Sequence, residues 1–195
     1  KLIKELAPLK IPLMVEKPVC ISLERWRSLN QLDDKKLPLI YIACNMRFHP
    51  LIKFLKKKVE DNPMKIYEIN IYSGSYLPSW RKNIDYTKSY SSKSKMGGGV
   101  HLDLIHEIDY LIYLFGIPKE IRKQYRKVSK LNIDSNDYAH FLATYDNFSA
   151  SITLNYYRRD PKRIFEIISE NETIELDFIR GTVTDLKTQK VLLKI

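Results

Sequence analysis

The sequence contains little cysteine, little glycine and no long hydrophobic run. Its 195 residues include two Cys and six Gly, and 44% of them are hydrophobic. Two cysteines, Cys20 and Cys44, cannot form a disulfide framework, and their scarcity fits a reducing compartment, so we predict a cytoplasmic protein. No apolar run approaches the roughly 20 residues that span a bilayer, so we expect no membrane partner. The apolar content excludes a disordered chain.

Acidic residues are outnumbered by basic ones, 23 to 33, which gives a formal net charge of +10. A basic balance can indicate a nucleic-acid partner, but no helix-turn-helix, zinc-knuckle or RNP pattern accompanies the charge. The cations gather at residues 56–58 and 122–130. Such runs are typical of solvated helix faces and charge-protected sheet edges. We therefore predict no nucleic-acid partner and keep nucleic-acid binding as the weakest of three hypotheses.

Three catalytic or ligand-binding signatures are missing as well. Gly74 is the only glycine before Gly97, so the Gly-x-Gly-x-x-Gly turn that opens a dinucleotide-binding fold does not occur there. There is no Gly-x-Ser-x-Gly, which argues against a hydrolase elbow. Four scattered His and two isolated Cys lack metal-ligand spacing, so we predict no metal site.

The first 45 residues carry an α/β pattern. A short helix is predicted over 2–9, and the apolar run 12–15 is typical of a buried parallel strand. Ser22 can cap a helix with Leu23, Trp26, Leu29 and Leu32 on one face. Residues 33–36 are expected to end this helix, and 37–43 form a second apolar run. Strand, helix and strand in this order predict a βαβ unit.

The remaining residues, 46–195, carry an α+β pattern. His49-Pro50 predicts the start of a helix over 50–60, and 65–73 alternates as a half-buried strand does. Residues 73–96 show no period, and the glycines at 97–99 precede a helix predicted to continue to Phe115.

The alternation after Lys119 predicts an antiparallel meander, with a hairpin turn at Asp146-Asn147. Such a sheet needs one face covered, and the helices over 50–60 and 101–115 are the expected cover. The strands are predicted over 138–145, 148–157, 163–169, 173–178 and 191–195.

Two groups of residues could carry chemistry. Lys17 and Asn45 follow predicted parallel strands, where ligands of open α/β sheets bind, and a Lys placed there can polarise an oxygen. Asp103 and His106 share a helix face, and a His beside a carboxylate can act as an acid or base near neutral pH. Considered singly, each has a plainer interpretation: a surface Lys in a turn, and a polar helix face with a satisfied His.

Five motifs in order resemble the Gfo/Idh/MocA family of NAD(P)-dependent oxidoreductases, the relatives of glucose-fructose oxidoreductase and inositol dehydrogenase. The resemblance extends along essentially the whole chain. The motifs are Glu16-Lys17-Pro18; Asn45-x-Arg47-Phe48-His49-Pro50; Tyr76-Leu77-Pro78-Ser79-Trp80; Gly97-Gly98-Gly99-Val100-His101-Leu102-Asp103-Leu104-Ile105-His106-Glu107-Ile108-Asp109; and Leu114-Phe115-Gly116.

The resemblance implies a fold and a cofactor. Residues 1–45 would be the C-terminal remnant of a doubly wound Rossmann sheet. Residues 46–195 would be a substrate-binding and oligomerisation domain with a large, mostly antiparallel open sheet covered by helices on one face. The cofactor would be NAD or NADP, bound through Glu16, Lys17, Pro18, Asn45 and Arg47, with Lys17 beside the nicotinamide.

The resemblance also implies substrate and catalytic residues. His106 would be the acid/base for a sugar or polyol hydroxyl, Lys17 would contact that hydroxyl, and Asp103 would assist. Tyr76 and Trp80 would line the substrate pocket. In many family members the assisting Asp lies four residues before the His. Here position 102 is Leu, and Asp103 lies three residues before His106.

Two hypotheses therefore stand beside nucleic-acid binding. The first is an incomplete NAD(P)-dependent oxidoreductase of sugars or polyols, because roughly 90 residues with the phosphate turn would normally precede Lys1 in this family. The chain would then be a fragment or a truncated product, inactive alone. The second is a non-catalytic sheet domain that serves homo-oligomer assembly.

The missing phosphate turn generates a prediction about the cofactor. We expect a titration of the 195-residue chain with NADH to give no saturable fluorescence change, since the pyrophosphate has no glycine-rich turn to bind. Tight binding would contradict this expectation.

Overall fold

The computed structural model describes residues 2–31 and 37–195, which form two compact units, Lys1–Asn45 (unit 1) and Met46–Ile195 (unit 2). Leu32 and the helix break predicted at 33–36 lie outside the described residues. Within the described ranges, the helices are all too short or too polar to cross a bilayer.

Unit 1 contains the predicted βαβ arrangement. A short helix, α1 (Leu2–Leu6), is followed by β1 (Leu13–Val15), α2 (Leu23–Asn30) and β2 (Ile40–Ile42). The two strands pair in parallel, with Met14 opposite Tyr41. The Ser22 hydroxyl accepts a hydrogen bond from the Arg25 N–H and so caps α2, as predicted. Met14 is 80% exposed although parallel strands are usually covered on both faces.

Unit 2 contains three α-helices: α3 (Pro50–Asp61), α4 (Val100–Asp103) and α5 (His106–Phe115). The single helix predicted after the glycines is wrong, because the chain leaves helical geometry at Leu104, with φ −100° and ψ 34°. There the regular i→i−4 hydrogen bonds give way to i→i−3 bonds, from Glu107 N to Leu104 O and from Ile108 N to Ile105 O. Asp103 and His106 therefore lie on two successive short helices.

The strands of unit 2 form one eight-stranded sheet, in the order β10-β9-β8-β7-β3-β6-β5-β4. Within it β3 pairs in parallel with β6, while the other six pairings are antiparallel. The strands are β3 (Ile66–Gly74), β4 (Glu120–Arg126), β5 (Tyr138–Thr144), β6 (Ser149–Asn155), β7 (Lys162–Ser169), β8 (Thr173–Asp177), β9 (Thr182–Asp185) and β10 (Lys190–Lys194).

The large, mostly antiparallel sheet is confirmed, but the uninterrupted meander is wrong. The prediction paired strands that are neighbours in sequence, and β3 instead enters the sheet between β6 and β7. The hairpin joining β5 and β6 is confirmed, with Tyr145 N donating to Phe148 O at 3.0 Å. Two strands, β4 and β9, were not predicted. The basic run at 122–126 lies on β4, an edge strand, so the charge-protected edge was the right interpretation of it.

One face of the sheet packs against the helices, as predicted. Alternate residues of the strands are buried there with Leu51, Ile52 and Leu55 of α3 and with Tyr110 and Leu111 of α5. The strand residues of this core are Ile66, Ile69, Ile71, Ala139, Phe141, Ala143, Ala150, Ile152, Leu154, Phe165, Ile167, Ile174, Leu176 and Val183. The opposite face, which we call the open face, carries mainly polar side chains. Its aliphatic residues include the half-buried Ile164 and Ile168 and also Leu142, which is 39% exposed.

The irregular stretch after β3 is ordered as short 3₁₀ turns before Gly97. Gly98 is needed here, because a Cβ on it would lie 2.3 Å from Tyr90 O and 2.6 Å from Ser91 O. A glycine at this position lets two segments of the chain's own backbone approach each other closely.

Candidate active site

In unit 1, the predicted cofactor residues follow the two parallel strands. Glu16, Lys17 and Pro18 come directly after β1, with a cis peptide bond before Pro18, and Asn45 comes three residues after β2. Ala43 N donates to Val15 O at 2.9 Å and extends the pairing to this edge. The structure thus places these residues at the carboxyl edge of the parallel pair, the edge at which open α/β sheets bind ligands.

In unit 2, the parallel pairing of β3 with β6 brings the two following loops together. Ser75 N donates to Asn155 O at 3.3 Å, and Leu77 N donates to Tyr156 O at 2.9 Å. Residues 75–80, which include the predicted substrate loop 76–80, therefore run alongside residues 156–159. We call these two segments the paired loops.

The side chain of Asn155, the last residue of β6, fixes the strand ends from which the paired loops start. Its side chain is buried, donates from Nδ2 to the Tyr72 hydroxyl at 2.7 Å and accepts from Arg158 N at 3.1 Å. Gly74 leaves room for it, because a Cβ at that position would lie 2.7 Å from Asn155 Nδ2. Moving the amide aside would break both hydrogen bonds, so the small residue at 74 and the amide at 155 depend on each other.

Two predicted site residues, Trp80 and Asp103, are linked through Tyr156. The Trp80 ring packs edge-on against Tyr156, with 5.2 Å between ring centroids, and its indole N–H donates to Ser75 Oγ at 2.8 Å. Tyr156 is buried and donates its hydroxyl to Asp103 Oδ2 at 2.5 Å. Burial and the Asp103 carboxylate raise the pKa of Tyr156, which keeps its hydroxyl protonated as the donor. Sequence patterns gave no signal for Tyr156.

His106 begins α5 and is half-buried. The next residue, Glu107, points into the core, is 0% exposed and forms an ion pair with Arg163 of β7, with Oε1 2.7 Å from Nε. Burial raises the pKa of Glu107, and the Arg163 guanidinium opposes that rise. The pair anchors the first turn of α5 to the sheet.

A second ion pair holds the same helix turn. Arg47 donates to Asp109 from Nε at 2.9 Å and from Nη2 at 2.6 Å, and its guanidinium lies 5.1 Å from the Tyr113 ring centroid. Bidentate pairs of this kind fix orientation as well as distance. Arg47, predicted as a cofactor residue, is thus placed against α5, and that role stays a prediction.

The other histidines have structural contacts. His49 caps α3, accepting from Leu51 N at 3.3 Å, and its pKa is lowered by burial and by Arg163. His101 stacks on Tyr125 with 4.2 Å between ring centroids, and burial lowers its pKa. His140 contacts Thr153 Oγ1 at 3.1 Å. Across the part of the chain that the structure describes, no three His, Cys, Asp or Glu side chains gather as a metal site would require.

A large, mostly antiparallel sheet with helices packed on one face is the fold of the C-terminal domain of an oxidoreductase family. The GFO/IDH/MocA C-terminal domain model matches residues 65–175, and the chain belongs to this family.

Two curated proteins that are similar in sequence to this chain are named as oxidoreductases or dehydrogenases. Scyllo-inositol 2-dehydrogenase (NADP(+)) IolW of Bacillus subtilis (strain 168) is 26% identical over 138 residues, 70% of this chain and 37% of the relative. The uncharacterized oxidoreductase YrbE of the same organism is 25% identical over 206 residues, 100% of this chain and 56% of the relative. The chain thus spans only part of the length of these curated relatives.

A solved structure shares the fold. The WlbA dehydrogenase of Bordetella pertussis, in complex with NADH and UDP-GlcNAcA, superposes with a TM-score of 0.80 at 15% identity. The match covers 98% of this chain and 55% of that protein.

The buried Glu107–Arg163 pair generates a pH prediction. In Arg163→Met the Glu107 carboxyl loses its cation, so its pKa rises further above the unfolded value. The folded state then binds more protons than the unfolded state, and stability falls as pH rises through that interval. We expect a loss of about 3 kcal/mol in unfolding free energy at pH 8 and a smaller loss at pH 5.

Urea unfolding at the two pH values measures this difference. Arg122→Met, which removes the exposed partner of Glu120, is the matched control and should behave like the parent at both pH values. An Arg163→Met protein whose stability loss is the same at pH 5 and pH 8 would contradict the assignment.

Proposed function

We propose that this chain is the substrate-handling part of an NAD(P)-dependent oxidoreductase that transfers a hydride between nicotinamide and a sugar, sugar-derivative or polyol hydroxyl. The observation that carries the proposal is the family match over 65–175, which contains His106 and the paired loops. IolW, a relative named as an inositol dehydrogenase, and WlbA, solved with a UDP-sugar, support a polyol or sugar substrate.

His106 is the proposed acid/base, which takes the hydroxyl proton in oxidation and returns it in reduction. Support comes from the two ion pairs beside it: Glu107 to Arg163 and Asp109 to Arg47 fix the first turn of α5. A base held by its neighbours needs little reorganisation to reach the proton. Asp103 is proposed to assist as part of the Tyr156 hydrogen-bonded pair.

The residues of unit 1 fit one end of the proposed cofactor. Lys17 and Asn45 lie at the carboxyl edge of the parallel strands, with Glu16 and Pro18, and Lys17 is the proposed cation that polarises the reacting hydroxyl. NAD or NADP, when bound, supplies the hydride acceptor or donor. The phosphate end of the dinucleotide has no glycine-rich turn in residues 1–73. We therefore propose weak or absent cofactor binding by this chain alone.

Tyr76 and Trp80 are the proposed substrate-contacting residues. They lie on the first of the paired loops, and Trp80 is tied to Asp103 through Tyr156. An aromatic face of this kind can stack on the C–H surface of a sugar ring while polar neighbours bind its hydroxyls.

The test of the proton role is a histidine comparison on the full-length native protein. NAD(P)H formation is followed with myo-inositol and with glucose as probes. We expect His106→Ala to lower kcat by about 10²- to 10⁴-fold, because general-base catalysis is lost. His140→Gln, on the open face, is the control and should retain activity. Equal rates in the two variants would contradict the assignment of His106.

We also propose that the chain forms homo-oligomers through the open face. Leu142 supports this proposal, since it is an apolar side chain among the polar ones of that face, while its neighbours Phe141 and Ala143 are buried in the core. In the alternative hypothesis this assembly is the sole function.

Assembly is tested by light scattering of matched variants. We expect Leu142→Arg to lower the oligomer mass, because a cation would be buried at a symmetric interface. Ile117→Arg, which changes an 86% exposed side chain outside the sheet, should leave the mass unchanged. A monomeric parent protein would contradict the proposal.

A further inference from the structure

The side chains of two consecutive residues, Asn155 and Tyr156, lie on opposite faces of the eight-stranded sheet. Asn155 has the strand parity of Thr153, so its amide lies on the open face, whereas Leu154 between them is buried in the core. Tyr156 instead reaches Asp103 of α4, on the side that the helices cover. The end of β6 therefore makes contacts on both sides of the sheet.

On the open face, the Asn155 amide is bonded to Tyr72 of β3. Tyr72 lies between the buried Ile71 and Ser73, which places its ring on the open face. Its hydroxyl accepts the hydrogen bond from Asn155 Nδ2 at 2.7 Å. Since Asn155 Oδ1 accepts from Arg158 N, the same amide also fixes the backbone of the second paired loop.

The first paired loop depends on the same two residues of β6 and its end. Ser75 N donates to the carbonyl oxygen of Asn155, and Leu77 N donates to that of Tyr156. The Trp80 ring packs against the Tyr156 ring. A displacement of Asn155 would therefore disturb both the backbone and the aromatic contacts of the loop.

The amide of Asn155 has little room to move. The residue is 1% exposed, so its N–H group cannot turn to water if the Tyr72 hydroxyl is removed. A Cβ at Gly74 would lie 2.7 Å from Asn155 Nδ2 and 2.8 Å from Oδ1. A buried amide that loses its partner is costly to leave unpaired, so the strand end that carries it must shift.

We propose that Asn155, fixed by Tyr72 on the open face, is the positioning residue of the proposed substrate loop. This inference rests on the proposed function for the roles of Tyr76 and Trp80. It adds that substrate affinity depends on a hydroxyl group on the sheet face opposite the helix that bears His106.

Tyr72→Phe tests the proposal in the full-length native protein, because it removes one hydroxyl and keeps the ring. With myo-inositol and glucose as probes, we expect KM to rise about fivefold, the effect of one hydrogen bond, with kcat nearly unchanged. Thr153→Val is the matched control. It removes a hydroxyl from the register position opposite Tyr72 on the same face, where the Thr153 hydroxyl contacts His140, and KM should stay at the parental value.

Variants at position 155 locate the effect. Asn155→Ala should raise KM at least as much as Tyr72→Phe. Asn155→Asp should restore most of the affinity, because a carboxylate can accept from both the Tyr72 hydroxyl and Arg158 N. Gly74→Ala should raise KM in the parent but add little to Asn155→Ala, since the atoms that the new Cβ would meet are gone.

The fluorescence of Trp80 reports the loop without requiring turnover. Trp26→Phe leaves Trp80 as the sole tryptophan of the 195-residue chain. In this background we expect Tyr72→Phe and Asn155→Ala to shift the emission to longer wavelength and to increase quenching by acrylamide. Thr153→Val should change neither. Far-UV circular dichroism confirms folding, and Tyr72→Phe carries the test if Asn155→Ala does not fold.

Three results would overturn the inference. These are an unchanged Trp80 emission in Tyr72→Phe, equal effects of Tyr72→Phe and Thr153→Val, or a changed emission with a parental KM. The outcome separates from that of the proposed function. Dehydrogenase activity with a parental KM in Tyr72→Phe would remove the positioning role and keep the oxidoreductase. A full-length protein without dehydrogenase activity would instead remove the proposed function and, with it, the substrate role of the loop.

Discussion

The parallel pairing of β3 with β6 is the constraint on which the rest of unit 2 depends. In an antiparallel pair the loops that follow two strands leave opposite ends of the sheet, whereas here both leave the same end. The loop bearing Trp80 and the segment bearing Tyr156 therefore share backbone hydrogen bonds. The buried amide of Asn155 joins the two strand ends beneath them, and the absence of a side chain at Gly74 makes room for it.

Buried charge supplies the second constraint, because it fixes α5 against the sheet. A fully buried carboxylate such as Glu107 is costly to desolvate, and that cost is offset only while Arg163 keeps its geometry. The helix therefore cannot rotate or slide without separating the pair. Arg47 and Asp109 add a second attachment two residues further along the helix. Together the two ion pairs fix the position of His106 through the residues beside it, whatever reaction His106 serves.

Much of this fold was predictable from sequence because its elements have clear periods, as in α3 and β3, and because Ser22 and Pro50 mark helix starts. The β3–β6 pairing was not, since periodicity says nothing about which distant strands meet. The sequence contains only a weak indication of the Glu107–Arg163 ion pair. Arg163 has the same strand parity as the buried Phe165 and Ile167, which indicates a cation facing the core. The sequence contains no indication that Tyr156 is a site residue, because an aromatic residue after a strand is typical of ordinary core packing.

These contacts change how the sequence spacing between Asp103 and His106 is interpreted. On one continuous helix, the change from four residues to three would rotate the carboxylate relative to the imidazole. Here the helix is interrupted at Leu104. The position of Asp103 is set by Tyr156 at the end of β6, and that of α5 is set by Arg163 and Arg47. Because the two side chains have separate anchors, their sequence spacing does not fix their relative geometry. The shortened motif is therefore compatible with the roles proposed for both residues.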